Sequence, residues 1–128
     1  MEYLTLDDIL PIRDRLAAAY AARFEIMSTN ALMSALAAPR RSAFGVEVFT
    51  TLAEKAGALA FSLIQNHPFW DGNKRIASAA LRLFVERNGA QLAADELDLR
   101  VVTTGVAKGA LRDDDLIAWL ARHIENRT

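Results

Sequence analysis

Cysteine is absent from this chain of 128 residues. Disulfides, thiolate zinc sites and iron–sulfur clusters are therefore excluded, and nothing points to an oxidising compartment. Excess charge is missing too: 15 Lys and Arg oppose 16 Asp and Glu, whereas a domain that coats nucleic acid is visibly basic. The most apolar stretch, GALAFSLI at 57–64, falls well short of the ~20 residues needed to cross a bilayer. The opening MEYLTLDDIL holds acids where a signal peptide holds Lys or Arg. Repeats, low-complexity tracts and linkers are lacking as well. With 52% apolar residues the chain has the means to bury a core, and its length suits one domain over residues 1–128. The expectation is a soluble, cytoplasmic domain that touches neither nucleic acid nor membrane directly.

What is present is mostly helical pattern. Thr5 followed by Asp8 resembles a capping box opening a helix through LDDILPIRDRLAAAYAARF, with Pro11 a kink inside it. A short helix starts near Ser28 or Thr29 and stops before Pro39. Residues 39–49, PRRSAFGVEVF, carry Pro, Gly and a β-branched and aromatic alternation, and read as a loop or short extended flap. From Thr50 or Thr51, apolar residues at Leu52, Ala56, Leu59, Ala60, Leu63 and Ile64 repeat at helical spacing. A further helix from about Asn73 ends at Asn88-Gly89, a left-handed stop signal. DELDLRVVTTGVAKG is a weaker helix. Asp113 or Asp114 caps a last amphipathic helix through Leu116, Ile117, Leu120 and Ile124. The fold class is all-α, with one short extended element ahead of a central helix pair.

Between that pair lies HPFWDGNKRIAS, residues 67–78. Pro68 disfavours helix at His67, so the preceding helix ends at about His67. At least one of Phe69 and Trp70 plugs the segment into the core. Asp71-Gly72-Asn73 is a turn signature, and the helix that follows exposes unpaired N–H groups and a positive dipole end. Lys74 and Arg75 share that first turn, which opposes the dipole unless an anion binds there. Nest, helix end and two cations make a phosphate cradle. Phosphates arrive with Mg²⁺, for which Asp71 is the adjacent carboxylate. His67 stands at the mouth, where a neutral imidazole takes the proton of an attacking hydroxyl. The stretch reads as a site for moving a phosphate-containing group from a nucleotide to an alcohol.

The pattern H-x-F-x-D-G-N-K-R, filled by His67, Phe69, Asp71, Gly72, Asn73, Lys74 and Arg75, resembles the motif of the Fic/Doc family, and within it the Doc (death on curing) branch. LTLDDIL, LMSALAAPR, TLAEKAGALAFSLIQNHPF and RLFVERNG also resemble Doc-family segments, so the likeness covers most of the chain. It implies a Fic-fold helical bundle. Against the nucleotidyl-transferring pattern H-x-F-x-[DE]-G-N-G-R-x-x-R, Lys74 replaces the second glycine and Ser78 the second arginine, which would hold the polyphosphate tail. Both departures are similar to Doc toxins, which transfer the γ-phosphate of ATP. Gly72, often alanine in the Doc branch, keeps AMP transfer open as an alternative.

The resemblance further implies roles. His67 is the general base and Phe69 the loop's structural anchor. Asp71 is the Mg²⁺ ligand, and Gly72 and Asn73 form the anion nest. Lys74 and Arg75 neutralise charge on the transferred phosphoryl. The implied activity is that of a toxin: a Mg-ATP-dependent protein Ser/Thr kinase acting on elongation factor Tu and stopping translation. The implied silencer is a small antitoxin whose disordered segment folds onto the toxin. The flap at 39–49 is where an extended substrate segment docks. A self-inhibitory [ST]-x-x-x-E-[GN] helix finds its nearest match from Thr50 to Lys55, where Lys55 spoils the last position and Glu54 reads as a surface residue.

Plainer roles weigh against some of these. Lys74-Arg75 as a solvated face, Asp71 as a mere turn former, and a catalytically idle Fic-like binding module are the alternatives. His123 reads as an exposed or helix-end residue. Trp70 and Trp119 read as core or interface, Arg40-Arg41 as loop solubility, and Asp113-Asp114-Asp115 as helix-start acids rather than a metal cluster.

Overall fold

A computed structural model describes residues 1–127. Among them are six α-helices, one 3₁₀ turn and two small antiparallel strand pairs. The helices are α1 (Leu6–Ala19), α2 (Thr29–Ala37), α3 (Leu52–Gln65), α4 (Asn73–Arg87), α5 (Glu96–Ala107) and α6 (Asp113–His123). The strands are β1 (Ser42–Ala43), β2 (Val46–Glu47), β3 (Ala90–Leu92) and β4 (Ile124–Asn126). The architecture is mostly helical, as the periodicity implied. No helix of the described residues is long and apolar enough to cross a membrane.

α3 is the axis of the molecule. Eight consecutive or near-consecutive positions, from Lys55 to Ala60 and then Leu63 and Ile64, are buried, because α2, α4, α5 and α6 all pack on it. A helix enclosed this way needs small residues where a neighbour comes close. At Gly57 a methyl group would meet Ile117 Cγ1 of α6 at 2.5 Å. α4 contributes Ile76, Ala80, Leu81 and Phe84 to the same core.

The helix starts follow local chemistry. Thr5 donates its backbone N–H to Asp8 Oδ2 at 2.8 Å, Ser28 Oγ accepts from Ala31 N at 3.1 Å, and Asp95 Oδ1 accepts from Asp98 N at 2.8 Å. Each satisfies an otherwise orphaned N–H of a first turn. The weakly patterned 96–107 segment is helical because of that cap and of Leu99, Val102 and Val106, which it buries.

Several boundaries differ from the sequence reading. α1 ends at Ala19 rather than near Phe24, and residues 23–25 run beside the α3–α4 loop instead, the carbonyls of Arg23 and Glu25 accepting from the N–H groups of Asp71 and Trp70. α3 ends at Gln65 rather than at His67. α6 starts one residue earlier than expected, with Arg112 as the cap residue whose N–H donates to Asp115 Oδ2 at 2.9 Å. It also stops at His123, and Ile124–Asn126 turns into a strand that pairs with Ala90–Leu92. His123 is the last residue of α6, at the helix end as expected, but half-buried rather than exposed, with its ring stacked 4.1 Å from that of Trp119 and its Nδ1 2.7 Å from Trp119 O. The flap is a hairpin, with Ser42 opposite Glu47. Positive φ at Phe44 (54°) and Gly45 (77°) makes its tight turn.

Both ends of the described chain meet at one corner. Glu2 N–H donates to Asn88 Oδ1 at 2.7 Å and Asn88 Nδ2 returns to Glu2 O at 2.9 Å. Arg127 N–H donates to Gly89 O at 3.1 Å. That corner is the C-terminal end of α4; the HPFWDGNKRIAS segment occupies its other end.

Candidate functional site

The loop between α3 and α4 is fixed by backbone pairing with residues 23–28. Pro68 O accepts from Met27 N at 2.8 Å and Ser28 N at 3.1 Å. Trp70 N–H donates to Glu25 O at 3.0 Å and Asp71 N–H to Arg23 O at 2.8 Å. Phe69 is fully buried and bridges to Ile26. Of the two aromatics it is the plug. Trp70 is 49% exposed, with the Arg23 guanidinium 5.0 Å from its ring.

Asn73 is buried and makes a reciprocal pair with the backbone of Phe69. Its Oδ1 accepts from Phe69 N at 3.0 Å and its Nδ2 donates to Phe69 O at 3.0 Å. The Asn73 side chain thus ties the loop to the helix start, and what it leaves toward an anion is its backbone N–H. Gly72 caps α4 at φ 79° with no side-chain acceptor. The first helical bond is Ile76 N–H to Gly72 O at 2.9 Å, so the N–H groups of the first turn lack intrahelical partners. A methyl group at Gly72 would fall 1.9 Å from the Phe24 ring. Glycine is required here by that ring and by positive φ, whatever the chemistry of the ligand.

Burial divides the motif in two. Phe69 and Asn73 are inside, while His67, Asp71, Lys74 and Arg75 are exposed on the loop and the first turn. His67 has φ 49°, a sparsely populated backbone region for a side chain of its size. The surrounding pairs hold it there.

From Gly72 onward the segment lines a cavity of about 570 Å³ between α1, α4 and α5, within the range of small-ligand sites. Asn73, Lys74, Arg75 and Ser78 line one wall. Ser78 Oγ donates back to Lys74 O at 2.9 Å, so the hydroxyl is engaged on its own helix. The sequence reading missed the other wall, namely Tyr20 at the end of α1, Arg82 on α4, and Glu96, Arg100, Thr103 and Thr104 on α5. Arg82 lies one helical turn beyond Ser78, the only signal that pointed to it. Its guanidinium is occupied, donating to Ala94 O at 2.8 Å and Leu92 O at 3.4 Å. The others come from remote segments and carry no motif.

No cluster of three or more His, Asp or Glu side chains gathers as a metal cage among the described residues. Asp71 is a single exposed carboxylate beside an anion cradle, which fits a Mg²⁺ ion held partly by phosphates and does not fit an all-protein metal site. Glu54 is committed elsewhere. Its carboxylate accepts from Thr51 N at 3.0 Å and from Thr50 N at 3.3 Å, and Thr51 Oγ1 accepts from Glu54 N at 3.1 Å. It caps its own helix.

Lys55, by contrast, is 2% exposed. Its Nζ donates to Glu47 Oε1 at 2.9 Å and Pro39 O at 3.1 Å, tying α3 to the base of the hairpin. Burial alone would lower its pKa, but Tyr3 and the Glu47 carboxylate outweigh burial and hold it above the ordinary lysine range. Arg40 and Arg41 lie over the rings of Tyr3 and Phe49 at 5.3 and 5.9 Å. Phe44, at the hairpin tip, is fully exposed.

Fold and site together define a helical domain with a cationic, glycine-capped helix start opening into a nucleotide-sized cavity. Residues 3–85 match the family model described as Fic/DOC family. The chain is also 37% identical over 115 residues to Toxin Doc of Mycolicibacterium smegmatis, covering 90% of this chain and 85% of that protein. The chain belongs to the Fic/Doc family.

Proposed function

We propose that the protein is the toxin of a toxin–antitoxin pair. It acts as a Mg²⁺- and ATP-dependent kinase that phosphorylates a Ser or Thr hydroxyl of a translation factor, elongation factor Tu by resemblance. The observation that carries this reading is the first turn of α4, with unpaired N–H groups, two exposed cations and no capping side chain, opening into the cavity. Such a turn is electrostatically unsatisfied until an anion occupies it. The name of the mycobacterial relative supports the toxin and, with it, an antitoxin partner. A separate inhibitor, a small protein whose disordered segment folds on binding, also suits a chain whose nearest self-inhibitory glutamate is spent capping its own helix.

In this mechanism a neutral His67 ring nitrogen takes the proton from the target hydroxyl. Its oxygen bonds to the γ-phosphorus as the bond to the β–γ bridging oxygen breaks, and ADP leaves. Lys74 and Arg75, with the N–H groups of the nest, meet the charge on the phosphoryl oxygens. Asp71 would hold Mg²⁺, which offsets phosphate charge when bound. The hairpin would align an extended target segment.

Ser78 favours phosphate over AMP transfer, since it supplies no cation for a polyphosphate tail. Gly72 does not argue the other way, because the Phe24 ring already demands it. Intact mass spectrometry of elongation factor Tu after incubation with the protein, ATP and Mg²⁺ is the test, with His67→Ala as control. A phosphate-sized gain is expected. An AMP-sized gain would overturn the kinase reading and keep the site.

A further inference from the structure

Arg75 has no carboxylate partner among the described residues. Its guanidinium carbon instead lies 3.9 Å from the ring centroid of Tyr20. The other cation–aromatic contacts of the described residues run from 5.0 to 5.9 Å, so this is the one close enough to fix a guanidinium on a ring face. Both residues line the same cavity.

Tyr20 reaches that place because α1 stops just before it. Its backbone is extended (φ −127°, ψ 142°) while its N–H still closes the last turn on Leu16 O at 2.9 Å. Tyr20 is 44% exposed, so burial does not account for its position. Arg75, for its part, sits on the positive end of a helix beside Lys74, where the local field pushes a long cationic arm away. The negative face of an aromatic ring counters that push.

We propose that Tyr20 is a positioning residue for Arg75: its ring holds the guanidinium at the cavity wall, so that phosphate oxygens meet a cation already in place. This deepens the phosphoryl-transfer reading and rests on it for turnover, but not for ligand affinity. Pre-placement saves the side-chain ordering that a free arginine pays at the moment of binding. The ring acts only through Arg75, which is what separates it from a residue that stacks on the ligand itself.

A double-mutant cycle on ATP affinity tests this, with calorimetry in Mg²⁺ on the full chain and variants Tyr20→Phe, Tyr20→Leu, Arg75→Gln and the Tyr20→Leu/Arg75→Gln pair. Tyr20→Phe keeps the ring face and is expected to bind within about twofold of wild type. Tyr20→Leu is expected to lose roughly three- to tenfold, the reach of one partly exposed cation–aromatic contact. In the Arg75→Gln background the same change is expected to cost nothing further. An equal loss in both backgrounds overturns the proposal and makes Tyr20 a direct ligand contact. A tenfold loss in Tyr20→Phe overturns it in favour of the hydroxyl, and no loss in Tyr20→Leu overturns it outright. Affinity is read whether or not elongation factor Tu is the target, so a negative phosphorylation assay leaves the cycle intact. A wild-type chain that binds neither ATP nor inorganic triphosphate overturns both readings.

Discussion

At Asp71 a folding role and a chemical role separate. Its backbone N–H belongs to the loop's pairing with Arg23, while its carboxylate is exposed and has no hydrogen bond or ion pair among those found in the described residues. Asp71→Ala is therefore expected to leave the melting temperature within a degree or two and to weaken Mg²⁺-dependent phosphate transfer. A collapse in thermal stability would instead make the carboxylate structural. Asn73 behaves in the opposite way. Asn73→Ala leaves both the N–H and the C=O of buried Phe69 unpaired, at about 1–3 kcal/mol each, so stability is expected to fall before any effect on chemistry is read. Lys74, exposed on the open turn, is expected to cost about 10²–10³ in turnover when changed to Ala; a twofold loss would make it a surface residue. The place of Lys74 and Arg75 on an exposed first turn was legible in the sequence, because Asp71-Gly72-Asn73 marks a turn from which a helix starts. Asn73's bond to Phe69 was not, since an Asn at that position signals a turn equally well whether its side chain faces a ligand or its own backbone.

Helix existence was more legible than helix ends. Periodicity marks the buried face of α3 or α4 over several turns, but α1 stops at Ala19 and residues 23–25 pair with a distant loop, and no local signal announces that. β3 and β4 are three residues each, and Ile124 continues the apolar spacing of α6 whether or not the helix does. One contact between elements was also invisible in the sequence. Arg87 on α4 reaches Asp8 on α1 at 2.8 Å. Partial burial pushes the Asp8 carboxyl up, but the Thr5 backbone N–H and Arg87 outweigh it, and the group ends below its ordinary value of 3.8. A lowered folded pKa means a contribution fully present above that ordinary value and lost as pH falls through the lower one. Asp8→Asn is thus expected to melt earlier than wild type at neutral pH, with the gap closing as the pH falls below the ordinary value of 3.8. A gap that persists unchanged in acid would mean that ionisation is not its source.

Across the whole molecule, the hydrogen bonds around Asn88 and Gly89 bring residues 2 and 127 to one end of α4, and the glycine-capped first turn with Lys74 and Arg75 occupies the other. Fifteen helical residues separate the two by about 22 Å. A circular permutant that joins residues 2 and 127 through a short flexible linker, with new ends between Phe44 and Gly45, is expected to fold. The same permutant is expected to retain ATP affinity but lose use of the protein target; loss of ATP affinity would tie the hairpin to the nucleotide site. The clasp at Asn88 also makes the protein one with a handle and a blade. A fluorophore, a surface tether or a fused reporter attached at residue 1 or after residue 127 hangs from the handle. Immobilised molecules would then present their working edge outward, without any engineering of orientation.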